Sequence, residues 1–169
     1  MRTVGIILAF GLAFTLGAQQ GGKQGGKGGA PVTKTYVAAK DVTSMMAKAK
    51  NERKADQANF IQSLLTLSPY TANLEYRGAV GPAAVHENEA ELFYVIDGSG
   101  TLVTGGKLAG ETRTNAENLS GTGIDGGSTQ DVAKGDFFIV PENTPHWFSK
   151  INGTLVLMSL HVPRPVAGK

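Results

Sequence analysis

From Phe60 onward, short apolar segments alternate with turns made of Gly, Pro, Asn and Asp. Many short strands with this punctuation are typical of an all-β sandwich or barrel. Gly98 and Gly100 predict a hairpin directly after the strand that ends at Ile96. The predicted strands are residues 60–65, 70–77, 92–96, 101–104, 137–140, 146–148 and 154–162.

Two segments outside these strands have other patterns. Residues 35–38 predict a further short strand, and Asp41 or Thr43 can cap a helix that runs to about Arg53. Apolar residues at helical spacing in this segment, among them a Met pair, predict contact with the core. Residues 105–127 are rich in Gly, Asn and Thr and predict a long irregular loop, a kind that is usually functional or mobile.

The first 18 residues have the features of a secretory signal peptide. Arg2 supplies a positive charge, residues 4–16 carry none, and small residues follow at Gly17 and Ala18. The alternative is an uncleaved anchor, although a membrane span needs about 20 apolar residues. We therefore expect export, secreted or periplasmic, with no membrane span after cleavage.

Residues 19–34 form a Gly/Lys/Gln tract with a short repeat, which predicts a flexible linker. Its lysines could instead contact an anionic surface. Residues 35–169 are then expected to be one domain, long enough for one sizeable core.

Charge and cysteine content exclude several classes of protein and site. Four of the 16 lysines and arginines precede Tyr36, which leaves 12 against 14 acidic residues and a net charge of −2. Nucleic acid is therefore not an expected partner. The chain has no cysteine, so disulfides, thiolate metal sites and lipid-modified cysteines are excluded.

The first spaced set of residues runs from Gly78 to Gly98. Five residues separate Gly78 from Ala84, and His86 follows two positions later. Four residues then lead to Glu91, and six more lead to Gly98. Because residues two apart on a strand face the same side, Ala84 and His86 both point into the barrel.

The second set runs from Gly135 to Lys150. Five residues separate Gly135 from Pro141, Asn143 stands two positions later, and His146 follows after two more residues. Pro141 and Asn143 predict a tight corner, because Asn tolerates a left-handed backbone better than most residues do. His146 then begins the next strand.

Both spacings resemble the two motifs of the cupin family, in order and with an allowed segment between them. The first family motif has a histidine where this chain has Ala84, and the second has Gly and Asn where this chain has Asn143 and Lys150. The resemblance implies an all-β, cupin-type β-barrel (double-stranded β-helix, or jelly roll) preceded by a short helix. It also implies one divalent metal ion, held here by His86, Glu91 and His146.

Nitrogen and carboxylate ligands suit Fe(II), Mn(II), Ni(II), Cu(II) or Zn(II). The loss of one ligand at Ala84 leaves a second interpretation, in which His86, Glu91 and His146 form only a hydrogen-bonded polar cluster in a metal-free barrel.

His161 could serve as an additional ligand or a proton relay if its face of the last strand looks into the barrel. The alternative is a hydrogen-bonded histidine near the barrel end. Glu87 and Glu89 are nearby alternatives to the missing ligand, although Glu87 is expected to point away from His86 on an extended chain. The preferred interpretation is that both are solvated acids in a turn. Packing or ion pairing competes with pocket lining for five further residues: Tyr76, Arg77, Tyr94, Asn143 and Trp147.

No motif identifies a substrate, because this fold hosts many activities. The first hypothesis is a metal-dependent enzyme of oxygenase, decarboxylase or isomerase type that acts on a small organic molecule, with Arg77 facing a substrate carboxylate. The second is a non-catalytic binder of a small ligand. The third is an interaction protein, since edge strands of such barrels can form a homodimer.

Overall fold

The computed structural model describes residues 33–164. The predicted signal peptide and nearly all of the predicted linker lie outside these residues, so export and cleavage stay predictions. Among the described residues, no helix has both the length and the apolar character that a membrane crossing requires.

The described chain begins with one helix, α1 (Ala39–Glu52). It starts earlier than predicted: Ala38 is the N-cap residue and makes no side-chain cap hydrogen bond, while Thr43 lies inside the helix and donates to the Ala39 carbonyl. The strand predicted at residues 35–38 is wrong, since the only pairing there is an isolated bridge between Lys34 and Thr66.

Eleven strands follow among the described residues, and they form a β-barrel of jelly-roll type. Two of them are much longer than the others and pair with each other along most of their length. The strands are β1 (Asn59–Leu67), β2 (Tyr70–Arg77), β3 (Ala83–His86), β4 (Glu89–Thr104), β5 (Lys107–Ala109), β6 (Thr112–Arg113), β7 (Asn118–Gly121), β8 (Gly123–Asp125), β9 (Ser128–Ala133), β10 (Phe137–Val140) and β11 (His146–Pro163).

The long strands β4 and β11 connect the two halves of the main sheet. In one half, β1, β2, the end of β11, the start of β4 and β10 lie side by side. In the other half, β6, β7, β3, the start of β11, the end of β4 and β9 are neighbours. Strands β5 and β8 form a separate pair.

The hairpin predicted at Gly98 and Gly100 is wrong. The chain does not turn back there: β4 continues, changing its partner from β10 at Tyr94 to β9 at Ser99. Gly98 has φ +81°, and the pairing with β11 is irregular on both sides of it. A glycine at such a point marks an irregularity or bend in a strand, and its local signal is the same as that of a turn.

Two apolar clusters fill the structure. One lies between the two halves of the sheet, and the other lies between α1 and strands β1, β2 and β11, where Met45 and Met46 pack as predicted. Each fully buried large side chain contributes roughly 1.5–3 kcal/mol. The central members of the first cluster are Phe93, Val95, Val140, Leu155 and Leu157; those of the second are Ala49, Leu64, Leu74 and Val156.

The long irregular loop predicted at residues 105–127 contains four short strands instead, β5 to β8. β7 pairs with β3, so that His86 lies opposite Asn118. The segment therefore builds part of the barrel wall beside the first predicted ligand.

We predict that Gly98→Ala destabilises the fold by about 2–5 kcal/mol, because the new Cβ would overlap the Thr154 backbone oxygen in addition to the strain of a positive φ. Gly153→Ala is the matched control: its φ is +75°, nothing lies within 4 Å of the new Cβ, and only the strain of about 1–2 kcal/mol applies. Urea denaturation of both variants measures the difference. Equal losses would contradict the close approach at Gly98.

Candidate metal centre

One cavity of about 350 Å³ brings together all three histidines of the chain and one buried glutamate. His86 ends β3, Glu91 lies near the start of β4, and the long strand β11 carries His146 at its start and His161 near its end. Ala84 lines the same cavity and lies opposite His146 in the strand pairing. The alternation predicted for Ala84 and His86 is therefore confirmed.

The Nε2 atoms of the three histidines surround the Glu91 carboxylate. His86 Nε2 is 3.3 Å and His146 Nε2 is 3.2 Å from Oε2, and His161 Nε2 is 3.4 Å from Oε1. Glu91 is only 4% exposed. His161 reaches this position because it lies opposite Glu91 where β11 pairs with β4. The structure thus brings the three predicted ligands together and adds His161 to them.

The other ring nitrogen of each histidine faces an oxygen atom. His86 Nδ1 contacts the Asn118 side-chain oxygen, His146 Nδ1 is 3.3 Å from the Thr144 carbonyl, and His161 Nδ1 is 2.9 Å from Glu89 Oε2. These oxygens only accept hydrogen bonds, so each Nδ1 carries the hydrogen. When a ring is protonated, its Nε2 donates a hydrogen bond to Glu91; when it is neutral, the same Nε2 turns a lone pair toward Glu91.

The orientation of Asn118 follows from its own neighbours. Asn115 Oδ1 accepts from the Glu117 backbone N–H at 2.9 Å and from Asn118 Nδ2 at 3.0 Å. The amide of Asn118 must therefore turn its oxygen toward His86. Sequence reasoning missed Asn118, because only the pairing of β7 with β3 places it there.

Protonation of the cluster follows from burial and hydrogen bonding. Burial alone would raise the pKa of the Glu91 carboxyl, but hydrogen bonds from His146 and His86 outweigh it and hold that pKa well below its usual range. Burial lowers the pKa of His86, yet its hydrogen bonds with Glu91 and Asn118 outweigh burial, and the net pKa is raised. Glu91 is thus an anion, and the adjacent His86 ring is protonated more readily than a free histidine.

The cluster suits a divalent cation by its donor set. A carboxylate and three imidazole lone pairs repel one another unless protons or a metal ion lie between them. The ligand atoms of His86, Glu91 and His146 lie within 4.8 Å of one another, as do those of His86, Glu89 and His161. Oxygen atoms that accept from Nδ1 are the usual partners of metal-binding histidines, and all three rings have one.

The two other acidic residues considered as ligands differ in environment. Glu87 is paired with Arg113 at 2.8 Å on the protein surface and points away from the cavity. Glu89 is part-buried and orients His161 through Nδ1. Glu89 is therefore not simply a solvated acid in a turn.

Of the five residues considered as pocket lining, Arg77 lines the cavity. Tyr76 does not: it is the neighbour of Arg77 on β2, so its side chain faces the opposite side and packs in the cluster beneath α1. Tyr94 lies on the outer face of β4, 41% exposed and beside Phe137.

The remaining two residues, Asn143 and Trp147, stand next to the cavity without lining it. Asn143 adopts the left-handed conformation that the corner requires, with φ 55°, and its backbone N–H donates to the His86 carbonyl at 2.7 Å. The Trp147 ring packs against Gly123, and its Nε1 donates to the Gly81 carbonyl at 2.8 Å. Both residues support the walls of the cavity.

Comparisons with known proteins agree with this architecture. A family model described as Cupin matches residues 39–163. A search of curated proteins gave no match. Among solved structures, BH2720 from Bacillus halodurans is 16% identical with a TM-score of 0.50, over 80% of this chain and 89% of that one.

Two other similar structures are KdgF from Halomonas sp. and the cupin domain of Cnp3 from Schizosaccharomyces pombe. KdgF is 18% identical, with a TM-score of 0.48 over 66% of this chain and 86% of its own. The Cnp3 domain is 18% identical, with a TM-score of 0.47 over 68% of this chain and 71% of its own. At these identities, the match to the Bacillus protein supports the fold alone.

We predict that Asn118→Leu removes the acceptor that holds the His86 ring. In ¹H–¹⁵N spectra of chelator-treated protein at alkaline pH, native His86 is expected to carry its hydrogen on Nδ1, and the variant is expected to lose this preference. Asn152→Leu, which replaces an exposed amide far along the sequence, is the control. An Nε2–H tautomer of His86 in the native protein would contradict the assigned orientation.

Proposed function

The chain belongs to the cupin family, and from this premise we propose that it is a mononuclear metal protein acting on a small organic molecule. His86, Glu91 and His146 would hold one divalent ion, and His161 would complete the set. The observation that carries this proposal is the convergence of three Nε2 atoms on one buried carboxylate, at 3.2–3.4 Å, while each Nδ1 faces an acceptor.

The contribution of His161 replaces what the family motif would have at position 84. Ala84 offers no ligand atom, but its small side chain leaves room in the cavity for an imidazole from the far end of β11. His161 and His86 have ring centroids 5.0 Å apart, and those of His146 and His86 are 5.3 Å apart. Three rings at these separations support a set of three nitrogens and one oxygen.

The donor set narrows the metals to those that accept imidazole and carboxylate together, namely Fe(II), Mn(II), Ni(II), Cu(II) and Zn(II). Such an ion, when bound, acts as a Lewis acid or binds dioxygen. Glu91 would supply one negative charge, and Asn118 and Glu89 would keep the rings of His86 and His161 oriented. The apolar side chains of Ala58 and Pro82 beside the ligands give a substrate a dry contact surface.

A non-catalytic binder is the second candidate, and Ala84 is the observation that favours it. A cavity of about 350 Å³ is at the lower end of the range for small-molecule sites. In this alternative, the histidines and Glu91 form a protonated polar cluster. Metal analysis of purified protein distinguishes the two candidates.

We predict that His146→Ala abolishes tightly bound metal, because the variant loses a buried ligand from the centre of the cluster. Native protein is reconstituted with each candidate metal, dialysed and analysed by mass spectrometry, and about one ion per chain is expected. Glu87→Gln is the control, since this acid is engaged with Arg113 outside the cavity. Stoichiometric metal in His146→Ala would defeat the assignment.

His161→Ala should lower metal affinity by about tenfold or more without abolishing binding, because His86, Glu91 and His146, whose ligand atoms lie within 4.8 Å of one another, all remain. The visible spectrum of the Co(II)-loaded variant should also shift, since a nitrogen ligand is lost. An unchanged spectrum and affinity would show that His161 is only hydrogen-bonded to Glu89 and Glu91.

A further inference from the structure

The cavity of the proposed metal centre has a second polar region, formed by strands β1, β2 and β11. We call its members, Asn59, Glu75, Arg77 and Ser159, the Glu75 cluster. Glu75 is only 4% exposed, and the side chains of Asn59, Glu75 and Arg77 line the cavity. A buried carboxylate is costly unless it is paired and hydrogen-bonded, so its partners determine what this region can bind.

Both carboxylate oxygens of Glu75 accept hydrogen bonds from other members of the cluster. Ser159 donates to Oε1 at 2.8 Å, while Asn59 Nδ2 and Arg77 Nε each donate to Oε2 at 2.9 Å. Arg77 Nη2 also donates to Oε2. These contacts satisfy the carboxylate and compensate the charge of Arg77.

The guanidinium of Arg77 is held on two sides. Glu75 binds it through Nε and Nη2, and its carbon lies 4.7 Å from the centre of the Phe148 ring. The third nitrogen, Nη1, lies outside both bonds to Glu75. Arg77 lines the cavity, and its guanidinium is held rigidly with its positive charge compensated by Glu75, so Nη1 is the donor that this pairing leaves for a ligand.

Asn59 completes the set of donors around Glu75. Because Glu75 can only accept, Asn59 must turn its Nδ2 toward Glu75, and this orients Oδ1 away from it. Within residues 33–164, Oδ1 is buried and has no hydrogen-bond partner. A full negative charge in a ligand at Arg77 would meet the negative charge of Glu75, which already pairs with that guanidinium.

We propose that the Glu75 cluster selects a neutral, oxygen-bearing ligand, such as an alcohol, amide or ketone, and rejects carboxylates and phosphates. The ligand oxygen accepts from Arg77, and its carbon skeleton lies against Ala58 and Pro82. This inference rests on the proposed function for the site as a whole, and it replaces the expectation that Arg77 pairs with a substrate carboxylate. The reason is that Glu75 already occupies that position.

The test compares benzamide, benzyl alcohol and benzoate, which share one ring and differ in the polar group. Zn(II)-treated native protein is titrated with each compound, the Arg77 Nε–H resonance is followed by NMR, and zinc content is measured on the same sample. The neutral compounds should shift this resonance at concentrations at which benzoate does not. A shift by benzoate equal to that by benzamide, or no shift by either neutral compound, would overturn the proposal.

Glu75→Gln tests whether the negative charge of Glu75 causes the rejection of benzoate. Gln keeps the volume, its oxygen accepts from Arg77, and its amide can donate to the Ser159 hydroxyl. The charge of Arg77 is then uncompensated, and benzoate binding should tighten about tenfold, roughly one charge-assisted hydrogen bond. Glu87→Gln, which removes an acid on the surface, should not change it.

An unchanged benzoate affinity in folded Glu75→Gln would contradict the proposal, and if this variant does not fold, the ranking in native protein decides. Zinc content distinguishes failure of the proposed metal centre from failure of the proposed ligand selectivity. Absence of zinc with the predicted ranking would reject a zinc centre and keep the selectivity. Stoichiometric zinc with benzoate preferred at Arg77 would keep the metal centre and reject the selectivity.

Discussion

The central interaction of this structure is between one buried carboxylate and three imidazoles. Glu91 lies near the start of β4, where β3 and both ends of β11 meet the cavity, and these two strands bring three histidine Nε2 atoms to 3.2–3.4 Å from it. Separate oxygens fix the far side of every ring. The carboxylate and the three imidazole lone pairs repel one another unless protons or a cation lie between them. This requirement connects the fold to the proposed chemistry.

The two long strands make this convergence feasible. β11 carries His146 at one end and His161 near the other, and it returns both to Glu91 because it pairs with β4 along both halves of the sheet. The irregularity near Gly98 lets β4 change partners without ending. β11 also connects the proposed metal centre to the Glu75 cluster, since Ser159 lies two residues before His161 on this strand.

The resemblance of two local spacings to the cupin motifs was enough to predict part of the site. His86, Glu91 and His146 lie in short motifs whose geometry depends on single turns, and β2 and β10 were predicted with their observed bounds. The roles of His161 and Asn118 depend on which strands pair and in which register, and no local pattern carries that information. Tyr76 and Arg77 show the same limit. Alternation along a strand predicts that their side chains point to opposite faces of the sheet, but it does not predict which face lines the cavity.

X-ray absorption spectroscopy of the metal-loaded native protein tests the central claim most directly, because it reports the ligands of the ion itself. The account predicts three imidazole nitrogens and at least one carboxylate oxygen at about 2.0–2.2 Å from the metal. A spectrum dominated by water oxygens, with fewer than two imidazoles, would contradict it and leave the barrel as a binder without a metal centre.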